Sequence, residues 1–274
     1  MKAQPAISVV TISYNQAEFL PRAIESILAQ KDVDIEYIII DPGSKDGSRD
    51  IIERYKDCFS HIVLEPDSGP ADALNKGLAL SSGKFFYYLN SDDEVVPGAF
   101  LEALELLDED ASIDVLYSNG VAVDEYGKAI RPIYSSQFFT PKLYAAGLAV
   151  IVQQSAFIRT SSLRMVGGFN VENRTCWDGE AFFDIANSGG TFRRVWKFWG
   201  KFRIYATSIS GSGAFESRIK ADHKRISEKI GVSETGPLAN AQRLMMWVII
   251  RIFDYRRWPS YAAGRFRPTD VTGR

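Results

Sequence analysis

Four short, bulky apolar runs, each ending in a small polar cluster and followed by an amphipathic stretch, constrain this chain more than any other feature. The runs are residues 7–12, 35–40, 61–64 and 85–89, and the clusters are Ser13-Tyr14-Asn15, Asp41-Pro42-Gly43-Ser44, Glu65-Pro66-Asp67-Ser68-Gly69 and Asn90-Ser91-Asp92-Asp93. Runs of this length, rich in Ile, Val, Phe and Tyr, read as strands buried on both faces. Strands alternating with helices at short spacing imply an α/β fold with a parallel sheet and right-handed crossovers. In such sheets ligands sit at the carboxyl ends of the strands, where all four clusters fall. The pair Asp92 and Asp93 stands out, because adjacent carboxylates repel and favour a hard cation that offsets their charge.

The stretches between the runs supply the helices. Asn15 with Glu18 three residues on fits a capping box for a helix through Gln30. Residues 49–55 and 71–80 read as helices, and another begins after Pro97 with Phe100, Leu101, Leu104 and Leu107. Beyond Asp93 the alternation loosens. Strands are expected at 113–117 and 155–158, with a hairpin over 121–133 around Glu125-Tyr126-Gly127-Lys128. Gly167-Gly168-Phe169 reads as a tight turn, and residues 178–187 as a helix ended by Ser188-Gly189-Gly190. Aromatic and basic residues alternate in part over 191–205, which suits strands. Residues 208–213 are a small-residue loop, and the last helix is expected over 242–258.

Composition removes several classes. With 32 basic and 34 acidic residues the formal charge is −2, which is no nucleic-acid signature. Two cysteines make no disulfide framework and suit a reducing, cytoplasmic setting; two histidines do not suit a His-rich zinc site. The run at 7–12 is strand length rather than a signal peptide, and no apolar run reaches 18 residues. Neither GxGxxG nor GxxxxGK[ST] occurs, so dinucleotide and P-loop fingerprints are absent. The charge is uneven, with seven arginines and two aspartates giving +5 over residues 241–274.

In order and spacing, the segments TISYN, DPGSKDGS, EPDSGPADALNKG, LNSDDEVVPGA, QQSAFIRTSSLRMVGGF and WDGEAFFDIA resemble the family 2 glycosyltransferases, across roughly residues 7–210. The resemblance implies a GT-A fold, with a catalytic domain over 1–212 (a nucleotide-binding half 1–98, an acceptor half 99–212) and a helical extension over 213–274. It implies a nucleotide-sugar donor, a UDP-sugar being the expected one, a glycan or lipid-linked acceptor, an inverting mechanism and a Mn²⁺ or Mg²⁺ cofactor. Asp41 would contact the nucleobase, with Thr11, Ser13 and Tyr14 lining its pocket. Asp67 would support the nucleotide, Asp92 the ribose, and Asp93 would bind the metal. SDD stands where the family's DXD motif is usual, so Ser91 replaces its first acid. Asp178 aligns with the family's general base, and Glu180, two residues on, is the reserve. Trp177 replaces the acid usual before the base, and its indole would offer a platform for a sugar face.

Taken singly, these residues have plainer readings. Asp41 and Asp67 suit Asx-type turns beside Gly43 and Gly69, and Asp178 a helix N-cap. A sugar nucleotidyltransferase or a non-catalytic sugar-nucleotide binding module would share much of the pattern. The 208–213 loop, flanked by Arg203 and Tyr205, would serve as a lid over the donor. Arginine interleaved with tryptophan over 242–258 suits a helix lying on an anionic membrane surface, with a homodimer contact as the alternative.

Overall fold

The computed structural model describes residues 4–206, 208 and 215–230. The helix expected over 242–258, and all of the 208–213 loop except Ser208, lie outside the described residues. The first half follows the alternation. Strands β1 (Ile7–Ile12), β2 (Ile35–Ile40), β3 (His61–Val63) and β4 (Phe85–Asn90) are separated by helices α1 (Leu20–Leu28), α2 (Ser48–Arg54) and α3 (Pro70–Leu80). A short strand β5 (Glu94–Val95) and helix α4 (Ala99–Glu109) follow. The second half comprises strands β6 (Val115–Val123), β7 (Ala129–Ile133), β8 (Ala156–Arg159) and β9 (Phe192–Arg203), with helices α5 (Pro141–Ala145), α6 (Thr160–Met165), α7 (Trp177–Asn187) and α8 (Glu216–Glu228).

The nine strands among the described residues belong to one sheet, ordered β3-β2-β1-β4-β8-β6-β9-β5, with β7 also paired to β6. β3, β2, β1 and β4 run parallel, β8 is antiparallel to both β4 and β6, and β9 returns parallel to β6. Alternate residues of the central strands serve opposite faces, as the two-residue period of a strand requires. Val10, Ile38, Ile40, Phe86 and Tyr88 pack beneath Leu74 and Leu78 of α3 and Phe182 and Phe183 of α7. Their neighbours Val9, Tyr37, Ile39, Phe85, Tyr87 and Leu89 pack with Leu20, Ile24 and Ile27 of α1 and with Phe100, Leu104 and Leu107 of α4. Leu101, read with that apolar set, is instead exposed.

Register delivers the site. Ile12 pairs with Ile40 on one side and Asn90 on the other, so β1, β2 and β4 end level. Their polar clusters therefore meet at one edge, where the chain crosses back from β3 to β4 and strand order reverses.

One local expectation fails. α1 begins after Phe19, which makes no side-chain cap, and Glu18 is exposed. Asn15 sits at φ 52°, and its Oδ1 accepts from Lys45 N at 2.9 Å, so it braces the DPGSKDGS loop instead of capping the helix. Asn tolerates the left-handed region, which lets it make this turn.

Gly77 fixes how closely α3 lies on β1. A β-carbon there would stand 2.5 Å from Val10 Cγ1 and 2.7 Å from Cγ2. Gly77→Ala should therefore cost about 1–3 kcal/mol through overpacking, read as a lowered urea midpoint with an unchanged slope.

Candidate active site

At the carboxyl edge of the sheet lies a cavity of about 630 Å³. Ser13, Tyr14, Asp67, Asp92, Asp93, Trp177 and Asp178 all line it, although they come from four separate segments of sequence. Asp178 stands in the first turn of α7 and lines the same cavity as the Asp92–Asp93 turn.

Asp93 is 2% exposed, with Oδ1 accepting from Arg203 N at 3.0 Å and Oδ2 from Gln154 Nε2 at 2.6 Å. Burial, and then the charge of Asp92, push its carboxyl well above the usual range. Asp92 is also pushed up, chiefly by burial, although the Tyr205 hydroxyl donates to its Oδ2 at 2.9 Å. Two neighbouring acids, each with its pKa pushed up, fit a divalent cation, whose charge would favour the ionised form of the pair. Among the described residues no cluster of three His, Cys, Asp or Glu could enclose an ion. A hard ion here would thus draw its remaining ligands from substrate oxygens and water, the usual manner of Mg²⁺.

Arg203 organises the turn. Its side chain is 1% exposed, yet the guanidinium bonds Asp92 O, Asp124 O, Glu125 O and Glu94 Oε1. These bonds join the acidic turn to the tip of the β6–β7 hairpin. β5, directly after Asp93, pairs with Gly200 and Lys201 of β9 and completes that anchor.

The other expected residues divide. Asp41 is fully buried behind Pro42; its Oδ1 accepts from Gly43 N at 3.0 Å and Ser44 N at 2.8 Å, and its Oδ2 has no partner. It thus forms the Asx-type turn and still holds one unused acceptor. Asp67 accepts from Gly69 N at 2.9 Å, and burial raises its carboxyl above the usual range. Ser13 and Tyr14 reach the cavity, with Tyr14 62% exposed. Thr11 does not: it is fully buried, and its hydroxyl pairs with Tyr37 Oη at 3.0 Å beneath the site. The Trp177 ring is packed into the core, so its face is not the open platform expected from sequence.

Asp178 and Glu180 face different surroundings. Burial raises the Asp178 carboxyl, against the opposing pull of the Gly179 N–H at the start of α7. Glu180 is fully buried, which alone would raise its carboxyl. Arg225 outweighs this, with Nη1 on Oε1 at 2.6 Å and Nη2 on Oε2 at 2.7 Å. Asn170 and Asn173 donate as well, at 3.0 and 2.7 Å, and Lys229 pairs at 2.8 Å; together they bring Glu180 down to about 2. A carboxylate so weakly basic and so fully engaged is unsuited to take a proton. The helix that supplies Arg225, α8, falls within the helical extension expected over 213–274.

The sequence reading also gave no role to Tyr88, Gln153 and Gln154, all of which line the cavity. The visible signal was a doubled amide, Gln153-Gln154, directly before an apolar strand, where exposed polar pairs are not needed.

These features coincide with what the chain is similar to. Residues 8–167 match the profile of Glycosyl transferase family 2, and the chain belongs to that family. An uncharacterised glycosyltransferase of Mycobacterium tuberculosis is 31% identical over 181 residues, which are 63% of this chain and 65% of that protein. The chain thus spans about 65% of the length of this curated relative. Among solved structures, S. aureus TarS (residues 1–349) in complex with UDP-GlcNAc superposes with a TM-score of 0.67 at 18% identity, over 96% of this chain and 77% of that one. A mannosyltransferase from Pyrobaculum calidifontis in complex with GDP-Man and Mn²⁺ gives 0.64 at 16% identity, over 98% and 78%. At such identities the likeness establishes the fold, which is GT-A.

The Glu180–Arg225 pair has a pH signature. Because Glu180 sits near 2 in the folded state, below an unfolded carboxylate at about 4.3, its contribution is present above that value and is lost as pH falls toward 2. Glu180→Gln should lower stability by about 3 kcal/mol at pH 7, with a smaller difference at pH 3, both read from urea melts.

Proposed function

We propose that this protein is an inverting glycosyltransferase that moves a sugar from a nucleoside diphosphate sugar, with UDP as the expected carrier, to a hydroxyl of a glycan or lipid-linked acceptor. One observation carries the reading: a half-buried carboxylate whose pKa is raised (Asp178) lines the same cavity as the acid pair Asp92–Asp93. Displacement at the anomeric carbon needs both. Negative charge builds on the departing diphosphate at one side, while the attacking hydroxyl gives up its proton at the other.

Asp178 takes the acceptor proton as the new carbon–oxygen bond forms and the bond to the diphosphate breaks, inverting the anomeric centre. Its raised pKa makes it, once ionised, a stronger base than an ordinary aspartate. Glu180, the reserve, is spent in the Arg225 pair. Asp93, with Asp92 beside it, would hold Mn²⁺ or Mg²⁺ at the diphosphate. When bound, that ion offsets the charge of the leaving group. Asp92 lies toward the ribose, and Ser13, Tyr14 and Asp67 line the nucleotide. The unused Oδ2 of Asp41 accepts from the base once Pro42 and its loop admit it; Thr11 supports this floor through Tyr37 rather than by contact. The +5 stretch over 241–274 suits an anionic lipid surface on the cytoplasmic side, where a lipid-linked acceptor would lie. Among the described residues no helix is long and apolar enough to cross a membrane.

Two substitutions separate the roles. Asp178→Asn should lower kcat by roughly 10²–10⁴-fold with nucleotide affinity kept, and Asp93→Ala should abolish the dependence of turnover on added Mn²⁺. In the unsubstituted protein kcat should rise with pH through an apparent pKa above that of an ordinary aspartate, because the base acts only when ionised. Full activity in either variant would remove the assigned role. For the surface contact, the full chain should float at low salt with vesicles containing anionic lipid, and a chain ending at residue 240 should not. Equal flotation of the two would favour a dimer role for the stretch.

A further inference from the structure

We infer that Gln153 and Trp177 form a hydroxyl-recognition subsite for the transferred sugar, the indole N–H donating to a ring hydroxyl and the Gln153 amide oxygen accepting from one. This rests on the reading of the cavity as a nucleotide-sugar site. Both residues line the cavity, and they are 5% and 7% exposed respectively. Gln153 Oε1 is nevertheless buried without a partner, and Trp177 Nε1 makes no hydrogen bond of good geometry, having the Tyr88 hydroxyl beside it. A buried polar atom left unpaired costs about 1–3 kcal/mol, so two beside one cavity point to a ligand that satisfies them.

The chemistry of the pair narrows that ligand. Gln153 Nε2 donates to Tyr88 O at 2.6 Å, which fixes the amide so that its oxygen is the free end. Trp177 offers only a donor. A donor beside an acceptor matches a hydroxyl, which is both at once, better than it matches a carboxylate or an ammonium group. Asn90 Oδ1 and Ser13 Oγ, also on the lining, are likewise unpaired and extend the same pattern.

Position points to the sugar rather than to the nucleotide. Gln153 directly precedes Gln154, which holds Asp93, and Trp177 directly precedes Asp178. The subsite therefore adjoins both the acid proposed to hold the metal at the diphosphate and the acid proposed as base. The anomeric carbon must lie between those two groups. Charge further limits the class. Asp67, Asp92, Asp93 and Asp178 line the cavity, and Arg203, the cation on the described lining, has its guanidinium committed to Asp92, Glu94 and Asp124. An uncharged, hydroxyl-rich sugar fits, and a uronate does not.

Calorimetric titration with Mn²⁺ tests this, using UDP, GDP, UDP-glucose, UDP-GlcNAc, GDP-mannose and UDP-glucuronate. Trp177→Phe keeps the ring and removes the N–H; Gln153→Met keeps the length and removes the amide. Each should weaken the best-bound sugar nucleotide about tenfold, the loss of one buried hydrogen bond. Binding of its bare nucleoside diphosphate should stay within about twofold, which also shows that the variant is folded. Sugar-nucleotide affinity unchanged in both variants, or bare nucleotide weakened equally, would overturn the subsite. Tighter binding of UDP-glucuronate than of the neutral sugars would overturn the class. Failure of the unsubstituted protein to bind any of the six would remove the donor reading itself, and the subsite with it.

Discussion

The buried carboxylate of Asp93 is the constraint around which the second half of the molecule is arranged. A carboxylate removed from water needs donors, and here they arrive from far along the chain: the N–H of Arg203 and the amide of Gln154. Meeting those contacts sets the positions of two otherwise unrelated elements. β9 must end beside the acidic turn, which its antiparallel pairing with β5 secures. The Gln153–Ser155 turn must enter beneath it, held by the Tyr87 hydroxyl on Gln154 O at 2.8 Å and by Gln153 on Tyr88 O. Gly200 makes this approach feasible, since a β-carbon there would stand 2.5 Å from Gln154 O. Even so, the acid pair remains short of positive charge. That deficit favours a cation and costs stability until one arrives, the ordinary tension between a site and its fold.

The other wall of the cavity is held by a different device. α7 carries Asp178, and nothing in its own sequence fixes its height over the sheet. α8 does so through Arg225 on Glu180, Lys229 on Glu180 and Asp184, and Asp222 on the Thr175 hydroxyl. The contacts are charged and mostly buried on the α7 side, so they specify one seating of the helix more than they add stability. Tyr144 adds a steric stop, because a β-carbon on Gly179 would come within 2.0 Å of its hydroxyl oxygen. Asp178 is thereby presented by packing from both sides of its helix.

This division explains what could be read from sequence. Strands β1, β2 and β4 are legible because burial on both faces demands continuous Ile, Val, Phe and Tyr, and the polar residues that end them mark the sheet edge. Asp92 and Asp93 are marked by the same logic, as acids placed directly after a strand, whereas Asp178 is picked out by the family resemblance. The capping box at Asn15 was not, because Asn15 is engaged by Lys45, 30 residues away, and local pattern cannot report a distant partner. The family resemblance puts Thr11 in the pocket, but strand alternation turns its side chain onto Tyr37. α8 is polar over most of its surface and docks by ion pairs, so it carries little hydrophobic periodicity to detect. Gln153 and Gln154 were visible as letters only; their roles depend on which strands the sheet brings beside them.

Asp178 and Glu180 show how far environment outranks residue type. Two positions apart on a helix lie about 200° around its axis, so one carboxylate faces the cavity while the other faces α8. Burial acts on both in the same direction. For Asp178 the Gly179 N–H only partly opposes it, and the carboxyl ends above its usual range. For Glu180 a bidentate guanidinium, a lysine and two amides reverse it, and the carboxyl ends near 2. From sequence alone the two were alternatives for one task. In the structure they are complements: the weakly basic one ties α7 to α8, and that tie holds the helix that brings the more basic one to the cavity lined by the acid pair. A carboxylate exchange at position 180 would thus disturb the reaction indirectly, by letting α7 shift, and the loss would be one of positioning rather than of proton transfer.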